Sequence, residues 1–165
     1  MHDNITSIGM SAFWDAESIS SFGFENRLPK NLRELGVSSL YDAGDYLKIT
    51  ELPENLVQLP AYALSAGSGV NISTFGSEAN PIKLMEAKAL DGSGDGSVTS
   101  LIIYCNGSEA IKPNAFEGYN VNVSHLEVYS TGDAIGDDII ASWNIKCSHG
   151  ETITTGCIAN HINGG

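Results

Sequence analysis

The stretch Ile5-Thr-Ser-Ile8-Gly-Met-Ser-Ala12-Phe13 decides the fold, because its pattern returns along the rest of the chain. The pattern is an apolar residue, two spacers, a second apolar residue, three spacers, a small residue and a large apolar residue. Clear copies occupy residues 32–40, 56–64 and 82–90, and weaker copies occupy residues 111–116, 135–140 and 155–160. The small residues of successive copies are separated by 27, 24, 26, 26, 24 and 20 positions. A period of this length is the sequence signature of a solenoid.

Between the copies lies a second kind of segment, in which apolar residues alternate with other residues. Leu101-Ile-Ile103 and Leu126-Glu-Val128 are the clearest examples. Weaker examples occupy residues 22–24, 47–49, 72–75 and 143–145. Alternation with a period of two indicates a β-strand. Proline-containing turns such as Leu28-Pro-Lys-Asn-Leu32 separate the units, so each unit predicts one short strand and one helical or 3₁₀ turn.

Stacking of the units supplies the hydrophobic core. A unit of 24 to 27 residues cannot bury its own apolar face, whereas stacked units bury a continuous ladder of equivalent positions. We therefore expect about six coils in a single domain over residues 1–165. Clear repeats run over residues 5–131, and degenerate repeats with a C-terminal cap run over residues 132–165. The small residue of each copy is expected to pack against the neighbouring coil: Ala12, Ala63, Ala89 and Ala115.

Two copies carry a resemblance to a known family. Ile5-Thr-Ser-Ile8-Gly-Met-Ser-Ala12-Phe13 and Glu109-Ala-Ile-Lys-Pro-Asn-Ala115-Phe116 resemble the BspA-type leucine-rich repeat, whose units read I-x-x-I-x-x-x-A-F, followed by a strand and a proline. The resemblance covers most of the chain. It implies a right-handed leucine-rich-repeat solenoid, mainly β with short helical or 3₁₀ turns. Members of that family are generally non-enzymatic surface or attachment proteins, and similar repeats occur in phage structural proteins, so the resemblance implies binding.

Composition and charge exclude several classes of protein. The hydrophobic fraction of 42% and the mean hydropathy of −0.04 are ordinary for a globular protein and argue against a disordered or membrane-inserted chain. A net charge of −12 repels phosphate backbones, so we expect no nucleic-acid partner. Residues 1–13 lack a basic region followed by an apolar stretch, so they predict no secretory signal peptide. A virion or a cell surface is favoured over a cytoplasmic enzyme.

Catalytic motifs are missing from the sequence. It contains no G-x-S-x-G elbow, no H-E-x-x-H and no phosphate-binding glycine loop after a strand. The repeats are too even in length to predict the irregular insertions that build a concave active-site pocket. We therefore predict a protein that is not an enzyme and that needs no cofactor.

One loop has the spacing of a weak calcium site. Asp91, Ser93 and Asp95 occupy the first, third and fifth positions of a calcium-type loop with glycine at the sixth. The twelfth position is Ile102, where such loops carry glutamate. Since each repeat has a turn-to-strand loop here, a flexible Gly-Ser connector is the favoured interpretation.

A second candidate metal site lies near the C-terminus. Cys147, His149, Cys157 and His161 supply two thiols and two imidazoles, which are ligands that zinc prefers. Their spacing matches no common zinc motif. A disulfide between the two cysteines is a further alternative, and ordinary thiols, buried or exposed, are the favoured one.

The predicted binding residues follow from strand alternation. If Leu101, Ile103, Leu126 and Val128 face the core, their neighbours face outward. The expected outward face contains Ile102, Tyr104, His125, Glu127 and Tyr129, with Lys146 in the same column of the next coil. Tyr104 and Tyr129 occupy the same repeat position and should stand side by side. Aromatic and isoleucine side chains favour an interface, although a row of aromatic strand formers, or one covered by loops, is the alternative.

Two classes of function fit this pattern. The first is an attachment module that recognises a protein or a surface glycan through the strand face. The second is a structural part of a larger assembly, such as a phage tail or baseplate. A further expectation concerns the N-terminal end, where little sequence precedes the first copy and could cap it. Ile5, Ile8 and Phe13 should therefore be poorly covered there and favour self-association or an assembly partner.

Overall fold

The chain folds as a parallel β-solenoid of about five turns, mainly β with very little helix. The structure is a computed structural model that describes residues 2–148 in full and residues 161–164 by their backbone. The strands are β1 Ser7–Ile8, β2 Glu34–Leu35, β3 Gln58–Leu59, β4 Thr74–Phe75, β5 Leu84–Met85, β6 Ser100–Cys105, β7 His125–Ser130 and β8 His161–Gly164. Within the described residues one helix, α1, covers Asp137–Ser142. The predicted solenoid and its mainly β composition are confirmed.

The first ladder is built from the repeat motif itself. β1 pairs with β2 and β3 pairs with β5, both in parallel, and a bridge joins Met85 to Ile111. The second apolar residue of each of the first five copies lies in this ladder and is buried: Ile8, Leu35, Leu59, Met85 and Ile111. The repeat pattern predicts only a helical turn in this segment, because two-residue strands are too short to show alternation.

The second ladder contains the longer strands in the order β4-β6-β7-β8, all parallel. Its core-facing residues are buried as predicted: Leu101, Ile103, Leu126 and Val128. The strand predicted over residues 47–49 is reduced to one bridge between Ile49 and Val70. Residues 22–24 and 143–145 form no strand.

The turns after the first ladder differ from the predicted helical or 3₁₀ turns. The same position in five successive copies has a left-handed backbone, with φ between 53° and 64°: Ser11, Ser38, Tyr62, Lys88 and Asn114. A helical turn requires negative φ throughout, so the prediction is wrong for these coils. Hydrogen bonds to the neighbouring coil hold these left-handed residues in place. The Ser11 N–H donates to the Val37 carbonyl at 3.0 Å, and the Lys88 N–H donates to the Asn114 carbonyl at 2.8 Å.

The sixth copy, residues 135–140, does not form another strand of the first ladder. Instead α1 begins at Asp137, and backbone hydrogen bonds dock its end against the fifth coil. The Asn114 N–H donates to the Ser142 carbonyl at 2.7 Å, and the Phe116 N–H donates to the Trp143 carbonyl at 2.9 Å. This replacement explains why the solenoid has about five turns rather than the predicted six.

The small residues of the repeats behave as predicted in the central coils. Ala63, Ala89 and Ala115 are completely buried, and so are the large residues that follow each of them. Ala12 is the exception, since it is exposed. It lies in the first coil, which among the described residues pairs with the second coil.

The first coil is better covered than expected. Ile8 is only 5% exposed, although Ile5 and Phe13 remain partly exposed. Arg27 reaches Asp3 through two hydrogen bonds of 2.9 and 3.3 Å. The Asp3 carboxylate also accepts a hydrogen bond from the Lys30 N–H, and together these contacts lower the pKa of Asp3 to about 2, with the Arg27 bond as the main cause. The ion pair therefore ties the start of the described chain to the end of the first coil.

Tyr119 links two distant coils through a buried hydroxyl. Its Oη donates to the Ile72 carbonyl and accepts from the Ile72 N–H, each at 2.7 Å. We expect Tyr119→Phe to lower the free energy of unfolding by about 1 to 3 kcal/mol, because both backbone groups of Ile72 would be left without a partner inside the core. Urea unfolding followed by circular dichroism measures the change. Tyr46→Phe, at a site that is 74% exposed, is the control, and equal losses in the two variants would refute the structural role of the hydroxyl.

Candidate binding face

The candidate binding face is the outward side of β6 and β7, formed by Ile102, Tyr104, His125, Glu127 and Tyr129. The parallel register pairs Ile102 with Glu127 and Tyr104 with Tyr129, while His125 pairs with the first residue of β6. The structure therefore brings these five predicted residues together on one side of the sheet. They converge because side chains in a strand alternate and the inward set is fixed by the core.

The two tyrosines form a stacked pair, as the repeat spacing predicted. Their ring centroids are 4.9 Å apart and the ring planes differ by 18°. The pair joins neighbouring coils, so its spacing follows directly from the distance between adjacent strands.

Glycines flank this pair on both sides of its column. A Cβ placed on Gly76 would lie 2.7 Å from the Tyr104 carbonyl oxygen, which places Gly76 against the Tyr104 backbone. On the other side, Tyr129 pairs with Gly164 of β8. Glycine carries no side chain, so the outer face of each ring has no neighbouring side chain in its own column.

Polar groups lie next to the tyrosine pair. The Nε2 atom of His125 is 3.3 Å from Oε1 of Glu127. Partial burial raises the pKa of the Tyr129 phenol, and the nearby Glu127 carboxylate and Tyr104 raise it further. The face thus combines two aromatic rings with a carboxylate, an imidazole and phenol hydroxyls, which suits hydrogen bonding to a ligand that stacks on the rings.

Lys146 does not belong to this face, so its predicted position is wrong. The Val123 N–H donates to the Lys146 carbonyl at 3.1 Å, and Val123 bridges to Cys147. The strand beside β7 is instead β8, which places Gly164 opposite Tyr129. The repeat spacing misled the prediction because α1 and the segment after it lengthen the connection between neighbouring strands.

The loop with calcium-type spacing, at Asp91, Ser93 and Asp95, is hydrogen-bonded to the preceding coil. Ser93 is completely buried, and its Oγ donates to the Leu64 carbonyl at 2.6 Å and accepts from the Ala66 N–H at 3.0 Å. The Asp95 carboxylate, for its part, accepts a hydrogen bond from the Ser97 N–H at 2.9 Å. Asp91 completes the predicted set, but within the described part of the chain no group of three or more His, Cys, Asp or Glu side chains could hold a metal ion.

The zinc and disulfide hypotheses lie mostly outside the described residues. Cys147 is buried. Cys147 takes part in a disulfide, so the favoured expectation of an ordinary thiol is wrong for this cysteine. His149 and Cys157 fall outside the described residues, and His161 is described by its backbone alone, so the predicted pairing with Cys157 and the zinc hypothesis stay predictions. Cys105 is a buried free thiol whose pKa is raised to about 11, mainly by burial, which fits a packing role.

A second surface, which the repeat pattern did not predict, lies on the outward side of the first ladder. A cavity of about 500 Å³ opens there across β2, β3 and β5. Two of the residues that line it, Pro60 and Glu86, stand directly after the second apolar residue of their copies.

Comparisons of the chain with protein-family models, with curated proteins and with solved structures found no match. Among the residues described, no helix has the length and apolar character needed to cross a membrane.

Proposed function

We propose that this protein is a non-enzymatic binding or attachment module that recognises a protein or a surface glycan through the candidate binding face. The observation that carries the proposal is the stacked pair of Tyr104 and Tyr129, set between two glycines of the same column. The resemblance to BspA-type leucine-rich repeats supports the same class of function.

The proposal has a physical basis, because binding to rigid rings loses little conformational entropy. Tyrosine has few rotatable bonds, so it offers a large contact area with little loss of conformational entropy. Here the rings already restrain each other by stacking at 4.9 Å. An aromatic side chain or the apolar face of a sugar fits over an outer ring face, and Glu127 and His125 lie close enough to bind its polar groups.

The test is the double variant Tyr104→Ser/Tyr129→Ser. Screening on an array of defined oligosaccharides and on a displayed random-peptide library first selects a ligand of the native protein. We expect the double variant to bind that ligand roughly 30-fold more weakly, since loss of a hot-spot aromatic side chain typically costs more than 1 kcal/mol.

A matched control is the pair Tyr41 and Tyr62, which also lie on neighbouring coils, with ring centroids 5.4 Å apart. Tyr41→Ser/Tyr62→Ser should leave the affinity within about twofold, since these rings lie off the candidate binding face. Unchanged affinity in a folded Tyr104→Ser/Tyr129→Ser protein, or equal losses in both double variants, would place the binding site elsewhere.

The second candidate function is a structural component of a larger assembly, such as a phage tail or baseplate. The first coil favours it, since several of its apolar side chains are only partly buried: Ile5, Phe13, Ile19 and Phe24. Met10 and Trp14 of the same coil are 73% and 55% exposed. Self-association or an assembly partner at this end would cover these apolar side chains. Native mass spectrometry of the purified chain distinguishes an oligomer from a monomer.

A further inference from the structure

The β2–β5 groove is the cavity of about 500 Å³ on the outward side of β2, β3 and β5. One wall is the column two positions after the buried ladder residues: Val37, Ala61 and Ala87. The opposite wall is the column one position before them: Glu34, Gln58 and Leu84. The two walls run parallel because the strands are stacked in register.

The floor of the groove lies between the two walls. Pro60 and Glu86 stand at the same repeat position and line the cavity between its walls. In the preceding coils this position is Gly36 and Gly9. The apolar wall extends in the same direction from Val37 to Met10, which are 42% and 73% exposed.

The two walls differ in chemistry. One is apolar throughout, whereas the other offers the Glu34 carboxylate and the Gln58 amide, with the Glu86 carboxylate at the far end of the floor. No lysine or arginine is among the described residues that line the cavity, and no aromatic ring lines it either. A ligand that fits therefore presents an apolar row to one wall and a cationic, hydrogen-bonding row to the other.

We propose that the β2–β5 groove binds an extended peptide segment of a partner protein in which basic side chains alternate with apolar ones. Adjacent coils are about 4.8 Å apart, so the groove and its extension to Met10 span about 14 Å, the length of four to five extended residues. An extended peptide sends successive side chains to opposite sides, which matches the two walls. Sugars favour aromatic platforms, and this groove has none among its described lining residues.

Charge also selects the partner. Because the chain carries a net charge of −12, its electrostatic attraction for a basic segment at the groove exceeds that for an equally acidic second copy. Glu34 and Glu86 concentrate that attraction at the groove. The proposal is independent of the candidate binding face, which lies on the second ladder.

The probe is a fluorescein-labelled pentapeptide of alternating lysine and valine, with a lysine–serine pentapeptide of equal charge as its control. Fluorescence anisotropy at low salt measures both affinities. We expect the lysine–valine peptide to bind about tenfold more tightly, because only its valines can bury apolar area against Val37 and Ala61. Ala61→Trp, which fills the groove, should abolish this difference in a protein with an unchanged circular dichroism spectrum.

A charge-matched pair of variants distinguishes binding at the groove from general electrostatic attraction of the peptide to the acidic protein. Glu34→Gln/Glu86→Gln should weaken binding of the lysine–valine peptide about tenfold. Glu25→Gln/Glu78→Gln removes the same charge at exposed sites outside the groove and should change affinity less than twofold. Equal losses in the two variants, equal affinities for the two peptides or no binding at millimolar peptide would overturn the proposal. A dimer in native mass spectrometry that Ala61→Trp dissociates would also overturn it, in favour of a second copy.

Discussion

Phe116→Ala is expected to lower the free energy of unfolding by about 3 to 5 kcal/mol. Phe116 is completely buried and packs edge-on against Phe75, with ring centroids 5.2 Å apart. Its ring is also 6.5 Å from both Tyr119 and Trp143. Removing it leaves a cavity among rigid rings from several coils, which cannot easily collapse to fill the space.

Urea unfolding followed by circular dichroism measures this loss. Trp14→Ala is the control, because Trp14 is 55% exposed and rests on Tyr41, with ring centroids 5.3 Å apart. It should cost less than about 1 kcal/mol, since little buried area is lost. A Phe116→Ala protein as stable as the Trp14→Ala protein would contradict the aromatic core described here.

Gly36→Ala is expected to cost about 3 kcal/mol, at the upper end of the usual range for overpacking. A Cβ at Gly36 would lie 2.6 Å from the Met10 Cα and 2.7 Å from the Gly9 carbonyl carbon. These are backbone atoms of the neighbouring coil, so no change of side-chain rotamer relieves the clash. The first two coils would have to separate and lose hydrogen bonds of the first ladder, among them the bond from the Gly36 N–H to the Ile8 carbonyl at 2.8 Å.

Gly9→Ala provides a control at the same repeat position. Gly9 has nothing within 4 Å of an added Cβ, so the change should leave the stability the same or raise it slightly by restricting the unfolded chain. The melting temperature of each variant measures the difference. If Gly36→Ala melts at the temperature of Gly9→Ala, the close approach of the first two coils is wrong.

Much of the candidate binding face could be predicted from the sequence. Tyr104 and Tyr129 stand 25 residues apart at one repeat position, and parallel stacking turns that separation into direct contact. The position of Lys146 could not be predicted in this way. The repeat becomes irregular after β7, and nothing local in residues 132–165 shows which segment pairs with that strand.

The first ladder shows the opposite situation. Its two-residue strands carry no detectable alternation, and each is stabilised by hydrogen bonds to a different coil rather than within its own segment. The sequence also does not predict the left-handed backbone of the turns, since Ser38, Tyr62 and Lys88 share no turn-forming chemistry. The β2–β5 groove depends on both features and appears only when the coils are stacked.

The sequence by itself determined the period, the solenoid and the inward positions, because a short repeat can bury apolar residues only by stacking equivalent positions. The tertiary structure alone decided the number of turns, the neighbour of β7 and the walls of the groove. These features depend on contacts between residues far apart in the chain, such as the hydrogen bonds that join Tyr119 to Ile72 across 47 positions. A local pattern indicates which face of a segment is buried. Which segment packs against that face depends on packing and hydrogen bonding among all the coils.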